Sequence, residues 1–205
     1  MSDVTDYEAE PADSAWHRRM PYGERVSAQP LIDSPFVPFE GDLTMAPLEP
    51  MLVPEKPRGG EQDVAECFHC THGAANAFWR DDHWQVGNPP SFGLPFIAGL
   101  APRRHVRLDE MDADLLAAFG EVVQRLAGAI QALDGVARTH FSRWGDGSAH
   151  FHMHFLARPL GMMQGRGAML AFWDDVLPPT EPDLIAANRR QVALALAAGG
   201  GQALL

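Results

Sequence analysis

The stretch His150, Phe151, His152, Met153, His154, Phe155, Leu156 constrains this 205-residue chain more than any other. In an extended backbone successive side chains alternate between two faces, so Phe151, Met153 and Phe155 point one way into a core and the three histidines point the other. Three imidazoles then line one wall, neighbours about 6 to 7 Å apart. The plain alternative is a solvated strand face whose histidines are incidental, which the apolar opposite face argues against.

The surrounding patterns place this strand in an α+β fold. Val136 to Trp144 and His150 to Ala157 read as two antiparallel strands joined through Gly145, Asp146, Gly147, because Asp and Gly tolerate positive φ. Trp84 to Val86 and Phe96 to Leu100 read as two more, flanking the turn-rich Gly87 to Pro95. From Met111 to Leu133, apolar residues recur at helical spacing (Leu115, Phe119, Val122, Leu126, Ile130), with Asp112 and Asp114 early and Gly135 just past the end. A C-terminal helix is expected over Pro182 to Ala198, capped by Thr180 against Asp183 and stopped by Gly199.

Residues 1–62 differ in kind. They hold nine of the seventeen prolines and short apolar islands without a sustained period, which reads as an extended proline-rich arm preceding a domain over 63–205. The islands predict that Pro30 to Pro57 lies partly ordered against the body or a second subunit, with residues 1–20 mobile. Most of the net charge of -11 resides there, since residues 1–66 carry 14 acidic and 5 basic side chains against 13 and 11 in the rest. A near-neutral body without a Lys or Arg block excludes the electrostatic footprint of duplex nucleic acid or an anionic membrane surface. A small phosphate-containing ligand needs only a few Arg side chains or backbone N–H groups and remains compatible. The acidic start has no apolar segment of a secretory signal and no run reaches membrane-spanning length, so the expected location is cytoplasmic.

Both cysteines, Cys67 and Cys70, form one C-x-x-C pair. In a reducing compartment that spacing points to a metal site or a redox pair before a structural disulfide, with two buried thiols as the plain alternative. Two soft ligands need two more, and the histidines at 69, 72, 83, 105 and 150 are the candidates. His69 lies between the cysteines and is expected to point away from a shared ion, while His72 is close enough that its backbone would have to loop tightly.

The order C-x-x-C, a turn-rich hairpin, Pro102, Arg103, Arg104, His105, Val106, a long helix and then H-F-H-M-H-F-L resembles the histidine-triad (HIT) superfamily over residues 67 to about 160. Its His-φ-His-φ-His-φ-φ motif, φ being apolar, is matched at all seven positions from His150 to Leu156. The text after the motif, residues 157–179, also resembles an actinobacterial HIT-like branch. The resemblance implies a compact α+β domain with an antiparallel sheet, usually a homodimer, in which the middle histidine, here His152, attacks phosphorus. His154 would then protonate the leaving group or bind phosphate oxygens. It also implies a closed structural zinc site of Cys67, Cys70, His105 and His150.

The implied activity is that of a nucleotide hydrolase or nucleotidyl transferase acting on a phosphoramidate, a dinucleoside polyphosphate or a related phosphodiester. Two other readings stand beside it: a metal-dependent enzyme with His150, His152 and His154 as ligands, and a non-catalytic zinc-stabilised nucleotide-binding protein. The Gln- and Ser-rich run that precedes many such triads is replaced by Gly145, Asp146, Gly147, Ser148, Ala149, leaving Ser148 as the hydroxyl donor expected to contact substrate. Pro-Arg after the triad is inverted as Arg158, Pro159, and Gln164 and Arg166 are expected to supply the missing anion contacts. Trp79, Trp84, Trp144 and Trp173 are each able to stack on a base, but large aromatics in a chain of this size are more often core.

Overall fold

The computed structural model describes residues 10–11, 21–25, 27, 29, 39 and 44–205, and the chain divides into two compact units, Met1–Pro57 and Arg58–Leu205. In the first, the short strands β1 (Glu10–Pro11) and β2 (Leu52–Val53) pair antiparallel. Residues 1–9, 12–20, 26, 28, 30–38 and 40–43 lie outside the described residues, and with them most of the segment 1–20 expected to be mobile and part of the Pro30 to Pro57 stretch expected to be ordered.

The second unit is built on an antiparallel sheet of β3 (Ala77–Arg80), β4 (Trp84–Gly87), β5 (Ile97–Pro102), β6 (Val136–Ser142), β7 (Met153–Pro159) and β8 (Gln202–Ala203). Their spatial order is β6-β7-β5-β4-β3-β8. Five helices accompany it: α1 (Phe68–Thr71), α2 (Gly73–Asn76), α3 (Ala113–Gln131), α4 (Met169–Val176) and α5 (Pro182–Ala198). This is the expected α+β class. Among the described residues no helix is long and apolar enough to cross a membrane.

Helix α3 forms because Leu115, Val122, Leu126, Ala129 and Ile130 fall on one buried stripe. It starts where the Asp112 carboxylate accepts the Leu115 N–H at 2.9 Å. The helix packs against β6 and α5. Its Phe119 ring lies 5.4 Å from Trp84 and 5.4 Å from Phe151, so the residue between the first two triad histidines is anchored in the core. Helix α5 has the expected span, but Thr180 does not cap it: its hydroxyl donates to the Leu94 carbonyl at 2.7 Å, and Glu181 stands at the start without a side-chain bond.

The strand bearing the triad begins later than its alternation predicts. Ser142 opposite His154 is the last pair of β6 and β7. Before it, the chain pairs elsewhere: the Phe151 N–H donates to the Val106 carbonyl at 2.8 Å and the Ala149 N–H to the Gly59 carbonyl at 3.1 Å. Residues 143–152 are therefore a wide crossing and not the tight Gly145 to Gly147 turn that the sequence predicts, although Gly145 does adopt a positive φ of 74°. The consequence is that His150 is carried over the end of β5, toward the C-x-x-C segment.

Candidate metal centre and histidine row

One turn of helix places the two cysteines side by side. Cys67 sits at the start of α1 with extended φ and ψ, and its carbonyl receives the Thr71 N–H, so Cys70 returns to the same side. The segment after β5 contributes His105, whose Nδ1 lies 3.4 Å from Cys70 Sγ. His150, fully buried, brings its Nδ1 to 3.4 Å from Cys67 Sγ and 3.5 Å from Cys70 Sγ. All four donor atoms lie within 4.8 Å of one another.

The tautomer of His150 follows from its other nitrogen. Nε2 is 2.9 Å from the Pro102 carbonyl, which only accepts, so Nε2 carries the proton and Nδ1 turns its lone pair to the sulfurs. Two thiols and two imidazole nitrogens converging this way are a soft donor set able to hold a four-coordinate cation. Gly60 closes the arrangement: at φ 78°, a Cβ there would stand 2.7 Å from Cys67 Cβ and 2.9 Å from His105 Cε1. Nothing in the sequence spacing around Gly60 reveals what it packs against.

Beyond the cluster the imidazoles continue as a row. His152 donates Nδ1–H to the His150 carbonyl, 2.9 Å away, and the ring stands 5.3 Å from His154 in a T-shaped contact. His69, on the turn between the cysteines, is not among the four clustered donors, and its ring lies 5.2 Å from His150 and 4.8 Å from His152. It forms a wall of the row that sequence spacing does not reveal.

Burial holds most of this row neutral. It pushes His69 down to about 4, aided by the charges that His152, His150 and His154 would carry. Burial likewise pushes His150 down to about 4, against the raising effect of the Pro102 bond. For His154 burial, then the neighbouring His152, lowers the pKa.

The remaining sequence-selected residues are distributed as follows. Ser148 is buried and its hydroxyl donates to the Gly59 carbonyl at 3.4 Å, so it ties residue 59 to the pre-triad segment. Gln164 and Arg166 are exposed on the segment after β7, and among the described residues no hydrogen bond or ring contact joins them to the triad. His72 stacks on Phe68 and pairs with the Thr71 hydroxyl, and His83 is exposed, so neither joins the donor cluster. Trp79 and Trp84 are core residues, whereas Trp144 is half exposed with its ring 5.1 Å from His154.

No family model matches the chain, and no curated relative does. Among solved structures, the chain is similar to a zinc-bound histidine triad family protein from Mycobacterium smegmatis at 20% identity and a TM-score of 0.47, covering 65% of this chain and 95% of that one. A histidine triad protein from Marinobacter aquaeolei VT8 is similar at 15% identity and a TM-score of 0.48, over 61% of this chain and 92% of that one. A uridylyltransferase is similar at 18% identity and a TM-score of 0.48 over 68% of this chain, which spans about half (48%) of it. In structure this chain resembles histidine-triad proteins.

Proposed function

We propose that this chain is a HIT-type nucleotide hydrolase or nucleotidyl transferase, acting on a phosphoramidate, dinucleoside polyphosphate or related phosphodiester through His152. The observation that carries the reading is the 2.9 Å bond from His152 Nδ1 to the His150 carbonyl. In a singly protonated ring that bond fixes the proton on Nδ1 and leaves the lone pair on Nε2, the atom a nucleophile uses.

In the first step an Nε2–P bond forms and the bond from phosphorus to the leaving oxygen or nitrogen breaks, the leaving atom taking its electron pair and a proton. His154 is the donor: burial keeps it neutral in the free protein, and the arriving phosphate anion favours its protonated form. In the second step water or another acceptor forms a new O–P bond, the N–P pair returns to Nε2, and His154 takes the acceptor's proton. His69 and His154 flank the nucleophile and restrict its ring to one orientation.

Cys67, Cys70, His105 and His150 are the residues that would hold zinc. Bond lengths of about 2.3 Å to sulfur and about 2.0–2.1 Å to nitrogen imply tetrahedral S···N edges of about 3.6 Å, and three S···N separations here are 3.4, 3.4 and 3.5 Å. Four protein ligands leave no open position, so the ion supplies a cross-link that fixes the segment leading into His152. A metal held by His150, His152 and His154 is disfavoured, because His150 directs Nδ1 at the sulfurs and commits Nε2 to Pro102. The reading extends to a cytoplasmic homodimer, where thiols stay reduced.

The direct assay is release of ammonia and AMP from adenosine 5′-phosphoramidate by the metal-replete protein. Stoichiometric release over many turnovers is expected. Absence of turnover on this compound, on dinucleoside polyphosphates and on nucleoside phosphodiesters, with metal bound, would leave a nucleotide-binding protein in place of an enzyme.

A further inference from the structure

Trp144 stands apart from the chain's buried tryptophans. Trp79 and Trp84 are fully buried, while Trp144 leaves 52% of its surface exposed. Its indole is 5.1 Å from the His154 imidazole, tilted by 42°. The placement follows from register: Ser142 pairs opposite His154 at the end of β6, and the chain then leaves the sheet, setting the next residues beside the last triad histidine. His152 has His69 at 4.8 Å and His154 at 5.3 Å as its ring neighbours, and Trp144 is in turn the neighbour of His154.

A large apolar ring held half in water at the mouth of a polar row is poorly satisfied by the protein alone. Its free surface offers a planar ligand group offset stacking and edge contacts. The neighbour it touches is the histidine that, in the reading above, hands a proton to the leaving atom. A ring attached one or two bonds from that atom would therefore meet the indole.

We infer that Trp144 and His154 form a subsite for a planar aromatic ring on the leaving group, so that phosphoramidates and phosphodiesters with aromatic leaving groups are preferred over aliphatic ones. The inference rests on the proposed His152 chemistry and adds the class of leaving group. Trp144 acts as a specificity determinant: it selects among substrates and takes no part in bond making.

The test compares two phosphoramidates of AMP, one carrying benzylamine and one carrying cyclohexylmethylamine, which match in size and differ in planarity. In the wild type kcat/KM is expected to favour the benzyl compound by about fivefold, the range that aromatic pairing supports. In Trp144→Leu the ratio is expected to fall to about one, and in Trp144→Phe, which restores a ring, to recover most of its wild-type value. Metal content, measured alongside, verifies that each variant is folded. Equal turnover of the two compounds by the wild type, or a ratio that persists in Trp144→Leu, would overturn the subsite while leaving the His152 reading intact. Turnover of neither compound by the wild type would overturn both.

Discussion

Replacing His152 by alanine is expected to lower kcat/KM for adenosine 5′-phosphoramidate by about 10⁴-fold or more, the scale seen when an attacking group is removed. That corresponds to a barrier increase of roughly 5.5 kcal/mol. The effect is larger than any neighbour should give: general acid–base assistance of the kind assigned to His154 contributes about 10²- to 10⁴-fold, and a flanking ring such as His69 contributes through orientation alone. The imidazole of His152 is half-buried and hydrogen-bonds to a backbone carbonyl, so its loss leaves one carbonyl acceptor to water and should spare the fold. Zinc content and circular dichroism should match the wild type. A variant that retains activity within tenfold would show that another group attacks phosphorus.

Cys67→Ser produces the largest expected change in stability. Cys67 is fully buried, its sulfur faces His150, and a hydroxyl there is a poor ligand for a soft tetrahedral ion. Elemental analysis is expected to fall from one zinc per chain to near zero, and Tm by about 10 °C or more, equivalent to roughly 3–5 kcal/mol for a domain of this size. Zinc-finger peptides that lack a core unfold outright without metal, whereas this domain keeps the apolar core around Trp84, Phe151 and Phe155 and should stay folded when cold. Gly60→Ala is expected to move both readouts the same way by a smaller amount, since its Cβ would press on Cys67 and His105. Unchanged metal content and a Tm within about 2 °C in Cys67→Ser would remove the metal brace from the account.

Period-2 alternation made the triad segment legible, because a chain with Phe151, Met153 and Phe155 on one side has one sensible way to face a core. The same logic at period 3.6 located α3, whereas α5 was placed by its end signals, of which Gly199 does stand at the C-cap and Thr180 does not cap. What the sequence could not convey is where an extended segment stops pairing with its sheet partner. Ser142 and His154 are the last pair because Phe151 and Ala149 hydrogen-bond to Val106 and Gly59, contacts with no local signature.

The donor set was legible only through family resemblance. His105 and His150 lie 35 and 80 residues beyond Cys70, and it is the end of β5 and the wide crossing before β7 that bring them together. His69 was discounted as a ligand for a sound local reason, its position on the turn between two cysteines, yet that same turn aims it at His152. Ser148, selected as the remaining hydroxyl, turns to Gly59 because the segment that holds it is buried against residues 58–60. Strand β3 and helix α4 escaped notice because Ala77–Arg80 is too short to show a period, and Met169–Val176 follows a loop without a capping residue.

The measurement closest to the central claim is rapid quenching of the wild-type protein during turnover of adenosine 5′-phosphoramidate, followed by proteolysis and mass spectrometry of all its peptides, among them those that contain His69 and residues 150–158. An adenylyl adduct on His152, labile in acid and stable in alkali as a P–N bond requires, is the result predicted. Turnover without any adduct, or an adduct on His69, His154 or a carboxylate, would contradict the assignment of His152 as the nucleophile.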